Sequence, residues 1–107
     1  MQPNGSASYR LQAEERPGPA TVVFLRGELD LGVSRRLRDL LAGVSGVARG
    51  HGRLVVDMAD ATFIDSSVLG VLAEADAQLP RGLGVRGATG IVARAFGLVG
   101  MDHLLTP

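Results

Sequence analysis

Three adjacent side chains, Asp65, Ser66 and Ser67 in the stretch TFIDSSVLG (residues 62–70), are the place in this 107-residue chain where residue type and spacing suggest chemistry. They stand between an apolar pair and an amphipathic segment. Ser and Asp at such a boundary are favoured helix caps, because their oxygens accept bonds from free backbone N–H groups. Capping accounts for most serines so placed. The functional alternative is a hydroxyl that accepts a covalent group. A phosphate there is attracted by the helix dipole and the free N–H groups, and repelled by neighbouring carboxylates. Asp65 supplies one such carboxylate, and Asp30 supplies another if the fold brings the two loops together. In open α/β sheets, sites gather beyond the carboxyl ends of the strands, where both loops would fall.

Other chemistries fit poorly. A serine hydrolase elbow is Gly-x-Ser-x-Gly after a strand, whereas this chain has Asp-Ser-Ser-Val-Leu-Gly. A triad needs a histidine base, and the two histidines, His51 and His103, fall in a Gly-Arg loop and near the C-terminus. Asp57, Asp60 and Asp65 lack the spacing of a calcium loop and read as caps and loop acceptors. Gly82, Gly84, Gly87 and Gly90 are not followed by Gly-Lys-Ser/Thr, so they read as turn punctuation rather than a phosphate cradle. With no cysteine, disulfides, thiolate nucleophiles and zinc–thiolate sites are excluded. No cofactor, metal or catalytic activity is expected.

The elements that must position the serines follow from periodicity. Tyr9, Leu11 and Ala13 alternate with polar residues as in a half-buried strand, and EERPGP reads as a turn. TVVFLRGEL is a second, more buried strand, so the two form a hairpin. Val33, Leu37, Leu40, Leu41, Val44 and Val47 trace one face of a helix, with Arg35, Arg36, Arg38 and Asp39 on the other. Gly43 and Gly46 weaken its end and RGHGR closes it. RLVVDM is a strand, and ADATFID connects it to a helix carrying Leu69, Leu72, Ala75 (or Asp76) and Leu79, stopped by Pro80. LGVRG is a short fourth strand. IVARAFGLVG is a last helix, with Ile91, Ala95, Leu98 and Val99 on one side, Thr89 as N-cap and Gly100 just past its end. MDHLLTP adds a short turn or edge element. The predicted order is β-β-α-β-α-β-α, which implies parallel crossovers with helices packed over the sheet.

Composition bounds the class. The length fits one domain, with residues 1–7 as a flexible tail and 8–107 as the fold. Hydrophobic residues make up 46% of the chain, too many for a disordered one. Net charge is zero and every one of the 11 basic residues is Arg, which argues against binding driven by nucleic-acid phosphates. No apolar run reaches the roughly 18 residues of a membrane span, and the N-terminus lacks the layout of a secretory signal. The expected location is the cytoplasm.

Two stretches together carry a family resemblance. GELD at 27–30, after an apolar strand and before a helix, and LVVDMADATFIDSSVLGVL at 54–72 resemble the STAS domain, shared by bacterial anti-sigma-factor antagonists and the tails of sulfate transporters. The resemblance covers about residues 8–105, and GLVGMDHLL is similar to the family's C-terminal helix and following turn. It implies an α/β fold, a small mixed sheet of about four to five strands with helices mainly on one side. A stand-alone domain of this length resembles the antagonist branch, whose members act by partner exchange. The resemblance implies that the unphosphorylated protein binds an anti-sigma factor that is also a GHKL-type serine kinase, and so frees the sigma factor. The kinase would phosphorylate Ser67, and a PP2C-type phosphatase would reverse this. Asp30, Asp65, Ser66, Ser67 and Val68 would form the binding surface. The alternative within the family is a STAS subunit that assembles with a membrane transporter ATPase. One residue departs from the pattern: Val68 stands where the family usually has Gly, an exposed position at which it would add apolar surface beside the phosphoacceptor.

Overall fold

Strand ends and helix starts meet at one end of a five-stranded sheet in the computed structural model. It describes the backbone of residues 9–15, 20–51 and 53–106, and the side chains of 21–44 and 53–106. The expected tail at 1–7 and most of the EERPGP turn lie outside the described residues. Strand β1 (Tyr9–Glu15) runs antiparallel to β2 (Ala20–Leu29), from Tyr9↔Gly27 to Glu15↔Thr21, which is the expected hairpin pairing. Helix α1 (Leu31–His51) then crosses to β3 (Arg53–Asp57), parallel to β2. A short strand β4 (Ala61–Ile64) pairs with the far end of β2, and helix α2 (Ser66–Gln78) follows it. Strand β5 (Leu83–Arg86) pairs with β3 in parallel, and helix α3 (Gly90–Leu98) and a 3₁₀ turn (Asp102–Leu104) complete the order. The strand order is β1-β2-β3-β5, with β4 beside β2.

The pleat decides where the core sits. Thr21, Val23, Leu25, Leu54, Val56, Leu83 and Val85 share one face through the registers Thr21↔Leu54↔Leu83 and Val23↔Val56↔Val85, and all are buried. Against that layer pack Val33, Leu37 and Leu41 of α1, Leu69 and Leu72 of α2, and Val92 and Phe96 of α3. Each such side chain contributes roughly 1.5–3 kcal/mol by leaving water. The opposite face carries Phe24, Arg26, Val55, Asp57 and Arg86, all only part-buried. There Arg26 lies 5.4 Å from the Phe24 ring centre and Arg86 Nε donates to Asp57 at 2.7 Å. Helices therefore cover one side, as the sequence implied.

Three expectations are corrected. TFI is not a plain connector: Thr62 and Phe63 are exposed and Ile64 buried, and the segment joins β2 as β4, which a four-residue strand gives too little period to signal. Helix α1 runs on through Gly43 and Gly46 to His51, past the RGHGR start at Arg49. A glycine costs about 1 kcal/mol in a helix interior, which the packing of Leu37, Leu41 and their neighbours outweighs. In α3 the buried face is Val92 and Phe96, while Ile91, Leu98 and Val99 are exposed. That helix is apolar on nearly every side, so spacing alone did not select the face; the bulky Phe96 did. Its ending is as expected, for Gly100 at φ 75° lets its N–H reach Gly97 and the Met101 N–H reach Phe96, a Schellman closure. Helix α2 likewise stops before Pro80, with Leu79 extended at φ −94°, ψ 134°, as a residue preceding proline prefers.

Candidate functional site

The two loops singled out by sequence meet at the ends of paired strands. Leu29 and Ile64 are register partners on β2 and β4, and the Asp65 N–H donates to the Leu29 carbonyl at 2.9 Å. Asp30 and Asp65 thus leave neighbouring parallel strands side by side, each one residue before a helix. Each uses its carboxylate in the same way. Asp30 Oδ1 accepts from the Gly32 N–H at 3.0 Å, and Asp65 Oδ1 accepts from the Ser67 N–H at 2.7 Å. Gly27, at φ 85° where the register of β2 shifts, takes the bend that lets β4 fall in beside Glu28 and Leu29.

The cap of α2 is therefore Asp65, and neither serine plays that part. Ser66 and Ser67 occupy the first two helical positions. The helix's early N–H groups are largely spoken for: Ser67 bonds the Asp65 carboxylate, and Val68 and Leu69 bond the Asp65 carbonyl at 3.0 and 3.2 Å. Among the described residues only the Ser66 N–H of these four lacks a partner, so an anion here finds far fewer donors than a bare helix start offers. The Ser67 N–H holds the Asp65 carboxyl below its ordinary range of about 3.8, and the neighbouring Ser67 hydroxyl adds to the lowering, through proximity rather than a well-formed bond. Asp65 is accordingly ionised at neutral pH.

Ser66 is exposed, whereas the Ser67 Oγ is shut away from solvent and has no hydrogen-bond partner among the described residues. Val68 is 0% exposed. The expectation of a surface valine crowding the phosphoacceptor is corrected: third in the helix, its side chain turns into the core with Leu69, Val71 and Leu72. It cannot touch a partner without unfolding the turn, and so leaves the list of contact residues.

Three side chains outside the expected binding surface join the site, Glu28, Leu31 and Phe63. Leu31, directly after Asp30, is 69% exposed, and Phe63, register partner of Glu28, is 42% exposed. With Glu28, Asp30, Asp65 and Ser66 they form an apolar and acidic surface at the strand ends. The signal for Leu31 was its phase, two residues ahead of the Val33–Leu37–Leu41 stripe; Phe63 was hidden by reading TFI as loop. Asp57 and Asp60 are held in structural contacts. Burial pushes the Asp57 carboxyl up, but the Ala59 N–H, the Arg86 guanidinium and the charge of Arg26 outweigh it and leave it below 3.8. Asp60 pairs with Arg26 at 3.5 Å. Among the described residues no cluster of acidic and histidine side chains could hold a metal ion, and no helix is long and apolar enough to cross a membrane. His103 is exposed in the 3₁₀ turn, and the His51 side chain lies outside the described residues. Arg35, Arg36 and Arg38 face outward on α1, where Arg38 meets Glu74 of α2 at 3.3 Å.

A single mixed sheet with helices on one face, and a serine pair opening the helix after a bulged strand junction, define the class. The family profile described as "Mlab, STAS domain" matches residues 13–106, and the chain belongs to the STAS domain family. Among solved structures, an anti-sigma factor antagonist from Mycobacterium paratuberculosis superposes with a TM-score of 0.83 at 27% identity, over 94% of this chain and 86% of that one. The Bacillus cell fate determinant SpoIIAA in its phosphorylated form aligns at a TM-score of 0.70 and 19% identity, covering 91% of this chain and 89% of that one. The murine anion transporter Slc26a9 shares the fold at a TM-score of 0.69 and 14% identity, over 87% of this chain but 17% of the transporter. No curated protein matches the chain in sequence.

Proposed function

We propose that the protein is an anti-sigma-factor antagonist whose binding surface is the acidic and apolar strand-end face, and whose switch is phosphorylation of Ser67. The observation that carries this reading is the placement of Ser67 in the first turn of α2, beside two capping aspartates, in a chain 27% identical to an antagonist. The unphosphorylated protein binds an anti-sigma factor with GHKL-type kinase activity and so releases the sigma factor. Leu31 and Phe63 fill apolar pockets on that partner, while Asp30, Asp65 and Ser66 face its basic and polar groups. In the phosphoryl step the Ser67 Oγ–P bond forms as the bond from the γ-phosphorus of a nucleoside triphosphate to its bridging oxygen breaks. The hydroxyl proton passes to a base on the kinase.

The product carries about −1.5 to −2 further charges, placed beside Asp65 and Asp30. Burying that group against a partner requires its desolvation, a penalty of several kcal/mol per ion. Binding is lost with little refolding, and a PP2C-type phosphatase restores it. The test is intact-mass measurement after expression beside the cognate kinase. One added phosphate that disappears in Ser67→Ala supports the reading; no phosphate, or one retained in that variant, refutes it. A second reading, a subunit assembling with a transporter ATPase, draws on the anion transporter that carries this fold within its chain. Affinity capture separates them, since a GHKL-type kinase supports the first and a transporter ATPase the second.

A further inference from the structure

The Ser67 hydroxyl is sealed in a way that its role as phosphoacceptor does not anticipate. Its Oγ exposes less than 1 Å² and finds no hydrogen-bond partner, although the residue as a whole is only part-buried. Buried polar atoms are almost always satisfied, so this one calls for a reason. A helical serine ordinarily donates to a carbonyl three or four residues back. For Ser67 those are Ile64 and Phe63, which belong to β4 rather than to the helix. The Asp65 Oδ1 that caps the turn is engaged by the Ser67 backbone N–H. Attack on phosphorus requires the oxygen to stand open along a line of approach at roughly 3–3.5 Å. A sealed oxygen offers none.

We propose that Ser67 is masked in the resting fold, and that loosening of the first turn of α2 at the Asp65–Ser67 clasp is the gate through which its hydroxyl becomes reactive. The clasp and the buried Val68 together fix the direction in which the Ser67 side chain leaves the backbone. Opening frees the hydroxyl to turn outward and regain water, so the masked state is held chiefly by the backbone clasp of the turn. Modification then proceeds at a rate scaled by the open fraction, and a partner that engages Asp65 raises that fraction. Neighbouring Ser66, exposed and unmasked, is spared by the partner's register rather than by access. The regulatory meaning rests on the reading of Ser67 as phosphoacceptor; the masking itself does not.

Thiol chemistry tests it without any kinase, because the chain has no cysteine. Single-cysteine variants Ser66→Cys and Ser67→Cys are reacted with an aromatic disulfide reagent under native conditions, each rate divided by its rate in denaturant. The cysteine at 67 is expected to react at least about tenfold more slowly than that at 66, the protection given by partial opening of a local turn. Adding Asp65→Ala should bring the rate at 67 severalfold toward that at 66. Adding Asp65→Asn should not, since Asn removes the same charge but keeps a capping oxygen. Equal protected rates at 66 and 67, or equal effects of Asn and Ala, overturn the proposal. As a check with no bulkier atom introduced, Ser67→Ala should leave Tm unchanged or raise it. A fall of about 4 °C or more would mean the hydroxyl is bonded after all. Failure of these tests leaves phosphorylation standing, and an absent phosphate leaves the masking standing.

Discussion

Replacing Val68 by Ala separates a core anchor from a surface contact. The side chain is 0% exposed, so the substitution removes two buried methyl groups, worth about 1.6 kcal/mol at roughly 0.8 each. Incomplete collapse around the gap adds about 1 kcal/mol, while Ala's better helix propensity returns about 0.5 kcal/mol. The expected loss is about 2 kcal/mol, a fall in Tm of roughly 8–16 °C for a domain of this size. Urea unfolding followed by circular dichroism at several temperatures measures it. An exposed valine would give a change within about 0.5 kcal/mol. A result that small refutes the inward placement and returns Val68 to the binding surface. Val68→Gly, which restores the residue usual in the family, adds the cost of glycine in a helix, about 1 kcal/mol more. Stability and modification rate should then move in opposite directions, because the substitution that weakens the core also frees the first turn.

Three further outcomes follow from the geometry. Asp57 has a folded pKa below the 3.8 of the unfolded chain, so its contribution to stability is present above that value and is lost as pH falls through the folded one. Asp57→Asn should lower the unfolding midpoint at pH 7 and flatten the acid limb below pH 4; unchanged steepness there would contradict the assignment. Leu31→Ser and Phe63→Ser, at 69% and 42% exposure, should leave Tm within a few degrees yet weaken the partner complex at least about tenfold in calorimetry, the cost of losing an apolar anchor. Undiminished affinity in both would remove them from the interface. Glu74→Ala breaks an ion pair whose side chains are 55% and 56% exposed, and should change stability by less than about 1 kcal/mol. A larger loss would show that the α1–α2 seam depends on it.

How much of this was legible follows from where tertiary contacts override local pattern. The hairpin, the alternation of strands and helices and the stop at Pro80 were readable, because β-branched runs, a 3.6-residue stripe and a proline act locally. Strand β4 was not, since four residues gain strand character only by pairing with Glu28 and Leu29. The inward face of α3 was not, because a nine-residue helix whose polar side is the single residue Arg94 has little to orient it. At the site, the nearness of Asp30 and Asp65 was inferable from parallel topology. The identity of the cap was not: Asp65, Ser66 and Ser67 are all good caps, and the choice fell to where the Leu29 carbonyl fixes the chain through the Asp65 N–H. That one-residue choice sends Val68 inward and shuts the Ser67 hydroxyl.

The same choice bears on how a phosphate would act. Helix starts usually bind phosphate through several free N–H groups and the dipole together. Here Asp65 has taken the Ser67, Val68 and Leu69 donors and Asp30 the Gly32 and Val33 donors, leaving the dipoles already countered by two carboxylates. The partial charges of two helix starts sum to about +1 against −2 from the aspartates. An added −1.5 to −2 therefore deepens a negative site that offers it little local reward. A phosphate so placed gains little by folding back onto its own helix and stays outward, where a partner must meet it. The acidic caps serve folding first, by starting two helices. A charge added at Ser67 would therefore act on a partner rather than on the fold.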